Sequence, residues 1–200
     1  MEQEEIREIK DVKEKLIQAA LKLLETKDCD QISIREIAQV AGVNSALISY
    51  HFGGKAALLG KAMSIHEQQL LKLFTDLLAE EHIDRARAEQ FATDLVEFLL
   101  KYEGAYRTGR RNEIIKKNQG AEQGGNPDFT AMQFKALYHM LGQLLPGRSE
   151  ETLQLKGIQF FSSIVYPVIY IDLYPAIGSS LAIEEFKKKY IKVVIDTLLS

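Results

Sequence analysis

Apolar residues return along this chain at intervals of three and four, and the stripes they draw predict a succession of amphipathic helices. Asp11 and Glu14 form a capping-box pattern ahead of the first, whose face is Val12, Leu16, Ala19, Ala20, Leu23 and Leu24 and which ends near Thr26. Before it, Met1 to Lys10 reads as a frayed extension, with Ile6 and Ile9 as its only aliphatic anchors. Lys27 to Ile32 is a short connector, in which Asp28 suits a left-handed helix exit and Cys29 a small buried hydrophobe. Ser33 and Glu36 then make a second capping box, followed by an apolar face of Ile34, Ile37, Ala38 and Ala41. Gly42 supplies the permissive backbone at its end, Val43 plugs the turn, and Asn44 caps a third helix running to about Tyr50. Gly53 and Gly54 break that helix. Lys55 opens a long one reaching about Glu80, with Leu58, Leu59, Ala62, Ile65, Leu70, Leu73, Phe74 and Leu77 as its stripe.

The second half continues in the same period. Asp84 to about Tyr106 is a helix with Phe91, Leu95, Phe98, Leu99 and Tyr102 inward. The basic run RTGRRNEIIKK after it is either a solvated connector or an anion-contacting or lever helix, and NQGAEQGGNP reads as a loop. Asp128 starts a helix that carries Phe129, Met132, Phe134, Leu137, Tyr138, Leu141 and Leu144 and stops at Pro146-Gly147. Ser149 caps the next, which is apolar nearly all round from Leu153 through Tyr166 and so needs partners on every side. Pro167 is expected to kink or locally unwind it, and Pro175 with Gly178 to close it off. The last helix, about Ile183 to Leu199, shows Ile183, Phe186, Tyr190, Val193, Val194 and Leu198 on one face, with Lys187, Lys188 and Lys189 outside. The fold class is therefore all-α: a three-helix N-terminal domain over residues 1–55 and a helical bundle over residues 56–200.

Composition narrows the class. With 200 residues, 46% of them hydrophobic and 26% charged, the chain has room for a small domain and a larger one. A single cysteine excludes an internal disulfide framework and suits a reducing cytoplasm, and no leader pattern suggests secretion. The longest uncharged run, Gly157 to Ile171, falls short of the roughly 20 apolar residues a membrane span requires. His51, His66, His82 and His139 are scattered, with no zinc-protease or Cys-His spacing and no phosphate-binding glycine loop, so no catalytic residue, metal or cofactor is assigned.

Chemistry concentrates between Ser33 and Lys55. Two short helices joined by so small a turn cross steeply and push the second outward, the geometry of a helix-turn-helix whose second helix enters the major groove of DNA. A net charge of -3 argues against coating nucleic acid by bulk electrostatics. Arg35 and Lys55 against Glu36 leave this stretch only +1, so the footprint is small and dimeric binding is expected.

Ile37-Ala38, Ala41-Gly42-Val43, Tyr50-His51-Phe52 and Lys55 followed by Leu58 coincide in type and spacing with a known pattern. Over Val12 to Met63 the chain resembles the N-terminal domain of the tetracycline-repressor (TetR) family of bacterial transcription regulators. The resemblance implies that Asn44, Ser45, Ala46 and Ser49 face the groove, that Arg35, Tyr50, His51 and Lys55 lie near phosphates, and that Ser33 caps onto the backbone. Ser45 stands where many members carry a Lys or Arg, and Ser49 where an aromatic residue is common. Bidentate readout of guanine is thus not available from either position.

The resemblance further implies a cytoplasmic regulator, a repressor that binds palindromic double-stranded operator DNA as a homodimer through its last two helices. A small-molecule effector held by the C-terminal bundle would release it. For the effector, the aromatic pairs Phe98 with Tyr102 and Phe134 with Tyr138, joined by Tyr106, Phe161 and Tyr166, are either a ligand wall or plain core. The competing reading is a helical protein-interaction module with no operator.

Overall fold

The computed structural model describes residues 2–106, 127–169 and 175–200, and all regular structure among them is helical. The helices are α1 (Glu2–Leu24), α2 (Ile34–Ala41), α3 (Ala46–Phe52), α4 (Lys55–Leu78), α5 (Arg85–Lys101), α6 (Pro127–Leu144), α7 (Glu150–Ile169), α8 (Pro175–Leu181) and α9 (Glu184–Leu199). The basic run and nearly all of the glycine-rich stretch fall at 107–126, outside the described residues. The described residues form two compact units. The first holds α1 to α3, α4 as far as Gln68, and a turn from Tyr102; the second holds the rest of α4, then α5 and α6 to α9.

In the first unit, Leu16, Ala20, Leu24, Ile32, Ile37, Ile48, Leu58 and Ala62 are within 1% of complete burial. Helices as short as α2 and α3 are marginal alone, and burial worth about 1.5–3 kcal/mol per large side chain is what holds them. Helix α1 starts at Glu2, not near Asp11, because Glu, Lys and Ile of the expected frayed segment are adequate helix formers. Asp11 accordingly sits in mid-helix, paired with Lys15 one turn on, and caps nothing. The α4 stripe also differs from expectation: His66, one turn from both Ala62 and Leu70, is buried where Ile65 was expected, and Ile65 is half-buried.

The second unit is built round stacked phenylalanines. Phe74 meets Phe91 edge-on with centroids 5.4 Å apart, and Phe91 stacks on Phe160 at 6.1 Å, joining α4, α5 and α7 in one core. Helix α5 ends at Lys101 rather than Tyr106, and a separate helical turn follows at 103–106.

Pro167 neither ends nor interrupts α7, which runs on to Ile169. A proline there withholds the amide that Ser163 O would accept four residues back, and the Tyr190 hydroxyl of α9 donates to that same carbonyl at 2.5 Å. Pro175 opens α8 instead of closing a helix, since a first-turn residue has no intrahelical use for its N–H, and Gly178 lies within α8.

On α9 the buried face is Lys187, Ile191, Val194, Ile195 and Leu198, so Lys187 is inside where it was expected outside. Its ammonium lies 2.5 Å from Glu97 of α5 and 2.8 Å from Glu184. Burial works against that charge, but the Glu184 and Glu97 carboxylates outweigh it and hold the lysine pKa above its usual value. Ile183, Phe186 and Val193, expected on the inner face, are exposed.

Candidate nucleic-acid interface

The turn unit is assembled by local hydrogen bonds that its residue types dictate. Ser33 is extended (φ -99°, ψ 155°), its hydroxyl accepts from Glu36 N at 3.2 Å, and Glu36 Oε2 accepts from Ser33 N at 2.9 Å, a complete capping box. The Lys27 ammonium reaches the other Glu36 oxygen at 2.5 Å. That hydrogen bond, followed by those from Ser33, holds the Glu36 carboxyl down at about 2. At the far end Gly42 is left-handed (φ 67°, ψ 33°); its N–H donates to Gln39 O and that of Val43 to Ala38 O, a full Schellman exit.

Helix α3 follows with Asn44 Oδ1 accepting from Ala46 N at 2.8 Å, so Asn44 caps it by side chain while its carbonyl accepts from Leu47 N. Ile48 is the buried anchor of α3. The outward face carries Asn44, Ala46, Ser49 and Tyr50, all exposed, with Tyr50 at 78%. Ser45 and His51 are half-buried at its margin, and the Tyr50 ring meets His51 edge-on at 4.8 Å. Ser33 and Arg35 are exposed on the α2 side. Lys55 behaves differently. Its ammonium donates to Ile32 O at 2.9 Å and Cys29 O at 3.3 Å, tying the start of α4 to the connector that leads into α2.

The aromatic residues expected at an effector divide between the units. Tyr102 and Tyr106 belong to the first, where both rings meet His66 edge-on, at 4.8 and 5.2 Å. Phe98, Phe134, Tyr138, Phe161 and Tyr166 belong to the second; Phe134 stacks on Phe161 at 6.5 Å and Tyr166 is half exposed. His66 is the residue that sequence reasoning missed. Burial pushes its imidazole down to about 4, and the signal was its spacing of four from both Ala62 and Leu70. Among the described residues no group of three His, Cys, Asp or Glu is placed to share a metal ion, and no helix is long and apolar enough to cross a membrane.

A capped helix, a left-handed glycine exit and a short outward helix, carried by a longer helix on either side, define a helix-turn-helix head. Residues 16–62 match the family model of the bacterial regulatory proteins of the tetR family. The chain is similar to that family over these residues of its head. It is 33% identical over 93 residues to the "Probable HTH-type transcriptional regulator YttP" of Bacillus subtilis, a match covering 36% of this chain and 45% of that protein, so it spans less than half of that relative. The fold extends further. A tetR-family transcriptional regulator from Streptomyces coelicolor superposes with a TM-score of 0.60 at 18% identity, over 93% of this chain and 81% of the other. The Bacillus subtilis transcriptional regulator FadR in complex with stearoyl-CoA gives 0.52 at 16% identity, over 93% and 97%.

Proposed function

We propose that this chain is a cytoplasmic transcriptional repressor that binds palindromic operator DNA as a homodimer and is released by a small-molecule effector. Residues 1–55 read DNA and residues 56–200 hold the effector and dimerise. The observation that carries the reading is the outward face of α3: Asn44, Ala46, Ser49 and Tyr50 stand in solvent on a helix anchored by a single buried isoleucine. Ser33, Arg35 and His51 border that face and serve the phosphates. Asn44, Ser45 and Ser49 offer only short polar groups to base edges, so operator choice rests on adenine contacts, methyl contacts from Ala46 and DNA shape. Lys55 contributes by holding the connector and by placing the α4 N-terminus.

Two exposed apolar faces support dimerisation through α7 and α9. Leu155, Ile158 and Tyr166 lie along one side of α7 at 63, 57 and 50% exposure, and Phe186 and Val193 lie one heptad apart on α9 at 43 and 61%. Contiguous apolar surface of this kind calls for a partner, and a second copy supplies the same surface under two-fold symmetry. Two recognition helices would then sit about 34 Å apart in successive major grooves. The stearoyl-CoA bound by the FadR neighbour supports a small-molecule effector here, with the Phe134–Phe161 stack as its apolar contact.

Selection of bound duplexes from random DNA tests the proposal. The expected result is a palindrome bound by a dimer, with Arg35→Ala and Tyr50→Ala each weakening it while sedimentation still shows the dimer. Arg35→Ala also lowers the slope of log affinity against log salt by about 0.9 for each phosphate that the variant no longer neutralises. Recovery of no common sequence, or a protein that sediments as a lone subunit, refutes it.

A further inference from the structure

Ile48 is the one buried residue of α3, 0% exposed, and it marks the direction of the core from that helix. At about 100° per residue, Ala46 and Tyr50, two residues to either side, point about 160° away from it; Leu47 and Ser49 stand at about 100°, and Ser45 and His51 at about 60°. Exposure follows the same order: Ala46, Ser49 and Tyr50 are exposed, whereas Leu47, Ser45 and His51 are half-buried. Ala46 and Tyr50 therefore hold the centre of the outward face, with Ser45 at one margin and His51 at the other.

A helix laid in the major groove turns its centre to the base edges and its margins to the phosphates on either side. The resemblance to tetR-family heads implied a phosphate contact for Tyr50, but its place on α3 sets it over the bases. The ring is also free to act there. Helical side chains lean back toward the N-terminus, so Tyr50 covers the turn that carries Ala46, whose methyl is too short to fill that space. His51 meets the ring edge-on with centroids 4.8 Å apart, a contact that covers at most one ring face. The open face of Tyr50, a residue 78% exposed, and the Ala46 methyl thus make one apolar surface in the middle of the reading helix. Of the four bases only thymine presents a methyl group in the major groove; the other edges offer donors and acceptors.

We propose that Tyr50, seated against Ala46, is a specificity-determining residue that reads the 5-methyl group of a thymine in each half-site through its ring and not a phosphate through its hydroxyl. This rests on the DNA-binding reading above and goes beyond it by assigning a base and a ring face.

The test replaces each thymine of the selected operator in turn by deoxyuridine, which removes the methyl group and keeps the base pair. One position is expected to weaken wild-type binding about fourfold when replaced in one half-site and about fifteenfold when replaced in both, the effect of one buried methyl per subunit. Tyr50→Phe keeps the ring, and should keep both the affinity and this penalty. Tyr50→Ala should weaken binding to the thymine operator and cut the penalty below twofold for a single half-site. If Tyr50→Phe loses as much affinity as Tyr50→Ala, or the penalty is the same in Tyr50→Ala as in wild type, or no deoxyuridine position weakens wild type, the assignment is overturned while operator binding stands. If the wild-type protein selects no duplex, the functional proposal and this inference fall together.

Discussion

Acid titration of His66 offers the most direct energetic test of the first unit. Its imidazole is 3% exposed, packed edge-on by Tyr102 and Tyr106, and burial lowers its pKa from 6.5 to about 4. In the unfolded chain the ring takes up a proton below about pH 6.5, while the folded chain refuses it until about pH 4. The stability that the neutral ring contributes is therefore complete above pH 6.5 and lost as pH falls to 4; below that both states are protonated and nothing further is lost. At 1.36 kcal/mol per pKa unit the loss comes to about 3 kcal/mol per chain. Carboxylates such as Glu36 and Glu184, held below their usual range by Lys27 and Lys187, also lose stability in acid, so the quantity to measure is a difference. Urea unfolding of wild type and His66→Phe, at one protein concentration and at half-unit steps from pH 7.5 to 4, supplies it. Stability of wild type minus variant should fall by about 3 kcal/mol over that range. A flat difference, or an NMR titration midpoint for His66 near 6.5, would refute the assignment of a buried neutral ring.

Other substitutions separate the remaining contributions. Tyr190→Phe strands the Ser163 carbonyl and should cost about 1–3 kcal/mol. Pro167→Ala in that background restores the missing amide, so a double-mutant cycle by thermal unfolding should be strongly non-additive. Gly42→Ala forces a side chain into the left-handed region (φ 67°) and should cost about 1–2 kcal/mol, with a matching fall in melting temperature. Phe91→Ala removes the middle ring of the Phe74–Phe91–Phe160 stack and should cost about 3–5 kcal/mol, read from the shift in urea midpoint.

The head was legible in the sequence because its geometry is fixed locally. Ser33 with Glu36, Gly42, and Asn44 each act on amides within a few residues, so residue type and spacing carried the capping box, the Schellman exit and the cap of α3. What escaped was set by partners remote in the chain. Lys187 fits the α9 stripe by its spacing of four from Ile191 and seven from Val194, but its charge set it aside, because Glu97, ninety residues away, is what makes burial tolerable. His66 fits the α4 stripe by spacing, yet its polarity removed it from an apolar tally until Tyr102 and Tyr106 supplied ring faces. Pro167 reads as a helix breaker unless Tyr190 is known to stand beside the vacated carbonyl. The exposed positions of α9 were misread for a related reason: Phe186 and Val193 are as apolar as the buried set, and periodicity cannot distinguish a face that joins the core from one that stays at the surface.

The same distinction between local and remote determinants bears on how the head is controlled. Among the described residues the capping box of α2, its Schellman exit and the Asn44 bond to α3 all span five residues or fewer, and Lys27 adds one bond to Glu36 from nine residues away, so the turn unit draws most of its geometry from its own sequence. The connector is the opposite case: Lys55 grips two of its carbonyls from 23 and 26 residues away, and Gly104 abuts its start from farther still. The proposed control of DNA reading would therefore act on the placement of the turn unit rather than on its folding. Connector variants should then change operator affinity while leaving circular dichroism and the amide protection of α3 as they are in wild type. Loss of α3 protection in Gly104→Ala would show that the unit melts instead of moving.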